Sequence, residues 1–287
     1  LGIAPRTCRD NPVAATQLLL PLLLGARQPH QLAMPSEREA WVGLESNPTV
    51  MTKYARSLGV ADGWGFCDLW GLDDEALEAV PQPCVAAIFL YPFSQVEARK
   101  RALGTQQPAS APEVWHMRQD VSNACGSVAI MHSVMNNLDR IGEGSSFLDS
   151  FREKTAGASS AERAALFAPA VRDIHDSHAS SGQTDAPAPT ADLDFHFVAY
   201  VEAPRRHFPE RSPRGLTPRD LETATEVRGR MYELDGNNDG PIDCGEVADG
   251  GLLRAVCDHV KAAYIAPFPD SHFSLITLGP ERREDDE

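Results

Sequence analysis

The sequence predicts an α+β fold, and three observations carry that prediction. Apolar residues recur at helical spacing in the first stretches beyond residue 47. Continuous or alternating apolar runs of strand length dominate the later part of the chain. Between them lies one helix-length segment with almost no polar face. At 287 residues, 42% apolar and 23% charged, the chain can bury a substantial core, and one main domain is expected. A formal charge of −15 argues against unassisted binding of nucleic acid, whose phosphates it would repel; it suits a solvated acidic surface or a basic protein partner. The six cysteines (8, 67, 84, 125, 244 and 257) include no CxxC pair. Neither a zinc knuckle nor a disulfide framework is indicated, and reduced thiols in a cytosolic setting are expected.

Residues 1–38 stand apart. "QLLLPLLLGA" (17–26) is too short to span a bilayer and is broken by Pro21, and Met34 opens the better-patterned "MPSEREAW". A leader or upstream extension outside the fold is expected there, with the domain over 39–281 and an acidic tail over 282–287. No membrane association is expected. In "NPTVMTKYARSLGV" (47–60), Asn47 is a capping residue with Pro48 behind it, and Val50, Tyr54 and Leu58 fall on one helical face. "DDEALEAV" (73–80) has the acidic start of a second helix. "CVAAIFLYPF" (84–93) reads as a buried strand. "LDFHFVAYVE" (193–202) reads as another, with His196, Val198 and Tyr200 on one face and Phe197, Ala199 and Val201 on the other. "RMYELDG" (230–236) and "HFSLITLG" (272–279) complete the predicted sheet.

The apolar segment is "QDVSNACGSVAIMHSVMNN" (119–137), predicted to be a central helix from Ala124 to Met135 with Ser122 or Asn123 as its cap. Cys125 falls in its first turn, where unpaired amides and the helix dipole favour a thiolate. For an arbitrary cysteine a small buried gap-filler is the commoner role. Here Gly126 is expected to leave room for a substrate backbone, and the Gln119 amide lies upstream where it could donate to an oxyanion. A thiolate nucleophile needs a base, and the base an orienter. His196 is the one polar group inside a buried strand; its bland alternative is a core histidine satisfied by a carbonyl. Asp235 ends a strand in "DG", so pairing of 193–202 with 230–236 would complete a Cys125, His196, Asp235 triad.

"QDVSNACGSVAIMHSVMNN", "GQTDAPAPTADLDFHFVAYV" and "MYELDGNNDGPIDCGE" resemble the ubiquitin carboxyl-terminal hydrolases, and the likeness covers most of residues 40–280 in order. The resemblance implies a papain-like cysteine protease core, with a central antiparallel sheet flanked by helices and a knotted chain path. It implies Cys125 as nucleophile, His196 as general base, Asp235 as the orienting acid and Gln119 in the oxyanion hole, with no cofactor. Asp68 in "FCDLW" matches a family acid that contacts the tail of ubiquitin; a turn or cap aspartate is its bland alternative. The implied partner is ubiquitin or a ubiquitin-like modifier, the implied leaving groups are small or unfolded, and a monomer in the cytoplasm or nucleus is expected. Residues 177–192 match a loop that crosses the cleft in the family. The chain departs from the pattern at 203–229, an Arg- and Pro-bearing insertion with a short helix expected near 217–227, and at Cys244, where relatives often have histidine.

Two other classes compete. One is a ubiquitin-binding protein without turnover, against which the intact Gln119, Cys125, His196 and Asp235 argue. The other is a calcium protein: in "ELDGNNDGPIDCGE" (233–246), Asp235, Asn237, Asp239, Asp243 and Glu246 occupy ligand places of an EF-hand loop, after Val227, Met231 and Leu234 at helical spacing. Gly229, Pro241 and the pair Gly250–Gly251 break the flanking helices that such a loop needs, and no second loop is present to pair with it.

Overall fold

A computed structural model describes residues 39–97, 108–142, 144, 146–179, 188, 191, 193–203, 229–248 and 250–281. The expected leader (1–38), the 282–287 tail and all but the two end residues of the 203–229 insertion, with its expected helix, lie outside these residues, as does most of the 177–192 loop. Of that loop, residues 177–179 continue a helix instead of opening a turn.

Among the described residues, six strands form one sheet in the order β1-β6-β2-β3-β4-β5. They are β1 (Trp64–Asp68), β2 (Ala86–Pro92), β3 (Phe195–Ala203), β4 (Arg230–Leu234), β5 (Ile242–Glu246) and β6 (Ser274–Pro280). Every neighbouring pair is antiparallel. β2 and β3 are buried on both faces, which is why their sequences are almost continuously apolar. The last described strand, β6, is placed between β1 and β2, so residues 274–280 are locked inside the sheet. β3 and β4 pair from Ala203↔Arg230 to Ala199↔Leu234, so the long connection between them does not prevent their union, as the slow growth of loop-closure cost with length allows.

Helices cover both faces. α1 (Pro48–Leu58) starts as its sequence requires: the Asn47 side chain accepts from the amides of Thr49 and Val50, and Pro48 needs no partner for a missing N–H. It ends at Gly59, whose φ of 110° is the left-handed conformation that glycine tolerates best. α2 (Asp74–Glu78) is capped by Asp73. α3 (Cys125–Met135) is buried from Gly126 to Met135 and packs on one face of the sheet with α1. α4 (Leu138–Ile141), α5 (Phe147–Lys154) and α6 (Ser160–Ala179) follow. The sequence patterns did not predict these three, and Pro169 inside α6 interrupts the signal a long helix gives. α7 (Gly251–Val260), extended by a π-helical turn over Lys261–Ile265, covers the opposite face with Phe89, Tyr200 and Leu275 beneath it. No described helix is long and apolar enough to cross a membrane.

The EF-hand alternative, which the helix breakers already argue against, does not fit the structure. Residues 230–234 are a strand rather than an entering helix, and 242–246 pair back on them as a hairpin. Asp235 is turned into the protein against His196, and Asp243 is engaged by Arg230 at 2.6 Å, so the supposed ligands face different ways. Small and acidic residues recur here because a tight strand connection needs them, as a metal loop does.

Candidate active site

Cys125 opens α3, but neither predicted cap serves it. The N-cap position is Ala124, with no side-chain cap bond, and Asn123 instead takes a left-handed backbone with φ 61°. Its side chain donates to the Ala191 carbonyl at 3.2 Å. An Asn in that region is one of the few non-glycine residues that tolerate it, and the resulting turn sets Cys125 at the first helical position. The strand-like segment from Glu39 to Trp41 holds the turn from outside, through Ser122 N–H to the Glu39 carbonyl (2.9 Å) and Trp41 N–H to the Ser122 carbonyl (3.0 Å).

His196 comes from β3 and Asp235 from the residue after β4, and the β3–β4 pairing delivers both to one end of the sheet. His196 Nε2 lies 2.7 Å from Asp235 Oδ1, and both side chains are buried. The same Oδ1 accepts the Asn237 N–H at 2.8 Å, an Asx-turn that fixes the carboxylate. The imidazole and the Cys125 thiol are close enough for each to shift the other's titration, and with Nε2 facing Asp235 the Nδ1 side is left for the sulfur. Edge-on aromatic rings of Phe93 (5.2 Å) and Tyr91 (5.7 Å) confine it further.

The electrostatics follow from this packing. Burial favours the uncharged thiol of Cys125, but the hydrogen bond and charge of His196, with the amides of Phe197 and Gly126, outweigh it and bring the thiol below its usual range. Burial likewise disfavours imidazolium, yet the Asp235 carboxylate and Cys125 raise His196 to about 10. Both directions favour the thiolate–imidazolium pair over the neutral thiol and imidazole. A thiolate so placed can attack a carbonyl carbon, and the imidazolium can protonate a leaving group.

Gln119 lies on the segment before α3. Its Nε2 donates to the Val121 carbonyl at 3.1 Å, which uses one of the two amide hydrogens and anchors the group. Its backbone N–H donates to the Gly236 carbonyl at 2.8 Å, so the segment carrying Gln119 is fastened to the turn carrying Asp235. A cavity of about 140 Å³ runs beside the thiol, lined by Leu44, Asn123, Cys125, Leu193, Phe195 and Phe197 among others. Phe195 is 45% exposed at its rim. Gly126 does not line this cavity and packs against Leu44 instead: a Cβ there would lie 3.0 Å from Leu44 Cβ, a closer approach than side chains usually make. Asp68 stands at the end of edge strand β1, opposite Ile276, and does not line this cavity. Partial burial raises its carboxyl above the usual range.

The sequence reading missed His116. Its Nε2–H donates to the Asp235 carbonyl at 2.9 Å, its Nδ1 meets Ser160 Oγ at 2.9 Å, and its ring stacks on His132 at 4.9 Å. Burial lowers its pKa, keeping it neutral and able to make both bonds. No local pattern distinguishes this histidine from the other eight, since its partners come from 44 and 119 residues away.

Comparison with known proteins gives a consistent result. Residues 41–265 match the family described as ubiquitin carboxyl-terminal hydrolase, family 1. The chain is 31% identical to a probable ubiquitin carboxyl-terminal hydrolase of Dictyostelium discoideum, covering 85% of this chain and 90% of that protein. It is 33% identical to ubiquitin carboxyl-terminal hydrolase 3 of Arabidopsis thaliana (85% and 95%) and 32% identical to YUH1 of Saccharomyces cerevisiae (86% and 99%). In fold it is similar to the UCH37 catalytic domain of Trichinella spiralis, solved bound to ubiquitin vinyl methyl ester, with a TM-score of 0.60, 23% identity, and 84% and 96% of the two chains covered.

Proposed function

The chain belongs to the ubiquitin carboxyl-terminal hydrolase family, and from that premise we propose that it hydrolyses the bond after the C-terminal glycine of ubiquitin or a ubiquitin-like modifier by thiolate chemistry. The observation that carries this reading is the chain of contacts from Cys125 to His196 to buried Asp235, with 2.7 Å between the last two. The Cys125 thiolate attacks the glycine carbonyl. The tetrahedral oxyanion accepts hydrogen bonds from the Gln119 amide and the Cys125 backbone N–H. His196 gives its proton to the leaving amine, and the acyl-enzyme forms as the carbon–nitrogen bond breaks. Water then attacks the thioester, passing a proton to His196, and Cys125 leaves as thiolate. Asp235 holds the imidazole in the tautomer and orientation this requires. Asp68, half-buried at the end of edge strand β1, is assigned to an arginine of the modifier's tail on the strength of the family resemblance.

The test is release of a fluorophore amide from the ubiquitin C-terminus, repeated with ubiquitin-like modifiers. Wild-type protein should turn over one of them and be silenced by a thiol alkylator, and Cys125→Ala should fall to background. Tight binding of ubiquitin without thiol-dependent turnover, or turnover that survives Cys125→Ala, would contradict the proposal.

A further inference from the structure

On the sheet face opposite α3, a second polar cluster lies outside the proposed catalytic machinery. Glu233 of β4 is buried in the apolar core under α7, only 3% exposed. Tyr200 Oη donates to its Oε2 at 2.8 Å and Tyr264 Oη at 2.6 Å, and His259 Nε2 lies 3.8 Å from the same oxygen. Cys244 completes the group: a carboxylate oxygen of Glu233, the Cys244 sulfur and a His259 ring nitrogen lie within 4.8 Å of one another.

Two departures from regular structure assemble this cluster. The β4–β5 register runs Met231↔Gly245 and then Tyr232↔Asp243, which leaves Cys244 as the extra residue of a β-bulge. The bulge turns Cys244 toward the α7 side of the sheet, where it packs against the apolar core that lies beneath that helix. Beyond His259, α7 widens into the π-helical turn Lys261–Ile265, and that turn carries Tyr264 onto Glu233. A cavity of about 280 Å³ opens onto the cluster from solvent, lined by Cys244, His259, Met231, Glu246, Arg254 and Asp258.

From this juxtaposition of bulge, π-turn and cavity we infer that Glu233, Cys244 and His259 form a binding site for one thiophilic divalent cation of the zinc class. One sulfur, one imidazole nitrogen and one carboxylate oxygen are a donor set suited to zinc and poorly suited to magnesium or calcium. A tetrahedral zinc centre places its ligand atoms roughly 3.5 Å apart, so closing the site needs a contraction of about 1 Å, within reach of side-chain rotation at Cys244 and His259. Water from the cavity supplies the fourth ligand. The two tyrosine hydroxyls act as the outer partners that orient a ligating carboxylate. On binding, Cys244 yields its proton to solvent, and thiolate and carboxylate together neutralise the cation. The bound ion ties β4, β5 and α7 together two residues ahead of Asp235.

The full chain carrying Cys125→Ser removes the other thiol–imidazole pair and is titrated with cobalt(II), read by the near-ultraviolet thiolate-to-metal charge-transfer band. One equivalent is expected to produce the band, zinc is expected to abolish it by competition, and zinc is expected to raise the melting temperature. Adding Cys244→Ser should remove both the band and the thermal shift. His259→Gln, which keeps the thiol, should weaken cobalt binding at least tenfold. No band in the Cys125→Ser protein, or a band of equal strength after Cys244→Ser, overturns the inference; so does an unchanged affinity in His259→Gln, an arm that holds even where the serine variant folds poorly.

Discussion

At Cys125 the first-turn position, the His196 hydrogen bond and the amides of Phe197 and Gly126 all stabilise negative sulfur, against the burial that opposes it. The sign of the pH dependence follows. Activity requires a deprotonated thiol and a protonated imidazole, so it rises as pH climbs through the lowered Cys125 value and falls as pH passes about 10, where His196 gives up its proton. Asp235→Asn removes the charge that raises His196, and the alkaline limb of the kcat/KM profile should move to lower pH; an unmoved limb would show that another group sets it. Gln119→Ala should cost about 3 kcal/mol of transition-state stabilisation, seen in kcat more than in KM, because its second amide hydrogen acts on an oxygen that becomes charged only in the transition state. A change confined to KM would assign Gln119 to substrate binding instead.

The proposed catalytic groups are carried by element ends, and the sequence signals at these ends differ in how local they are. α1 and its Asn47 cap, α2, β2, β3 and β6 lie close to where sequence spacing predicts them, because apolar period and cap residues are local signals. The start of α3 is not local in the same sense: Asn123 is recruited to a left-handed turn by Ala191 and by the Glu39–Trp41 segment, so its cap propensity is overridden. β5 was hidden inside an apparent metal loop, since its residues alternate only about a hairpin that forms with β4. One close junction between elements near the catalytic candidates is Gly236 against Gln119. A Cβ at Gly236 would lie 2.7 Å from Gln119 Cβ and 3.2 Å from its backbone nitrogen. Gly236→Ala should therefore destabilise the fold by about 1–3 kcal/mol in denaturant titration and lower kcat by shifting Gln119. Unaltered stability and kcat would mean that the two segments separate without cost.

Across the whole molecule, a formal charge of −15 gives a field that draws a positively charged partner and repels an acidic one. If the modifier approaches through a basic surface, kcat/KM for the ubiquitin-derived substrate should fall as ionic strength rises, while kcat changes little. A flat salt profile would remove long-range steering from the account. Composition, helix and strand periods, and the motifs around Cys125, His196 and Asp235 were enough to determine the α+β class and the candidate catalytic residues, because each of these signals lies within a short stretch of chain. Tertiary structure alone decided the strand order with β6 inside the sheet, the service of Gly126 to Leu44, the hold of His116 on the Asp235 carbonyl, and the meeting of Glu233, Cys244 and His259. These are contacts between residues far apart in sequence, or turns of a single side chain at a bulge, and local periodicity carries no information about either.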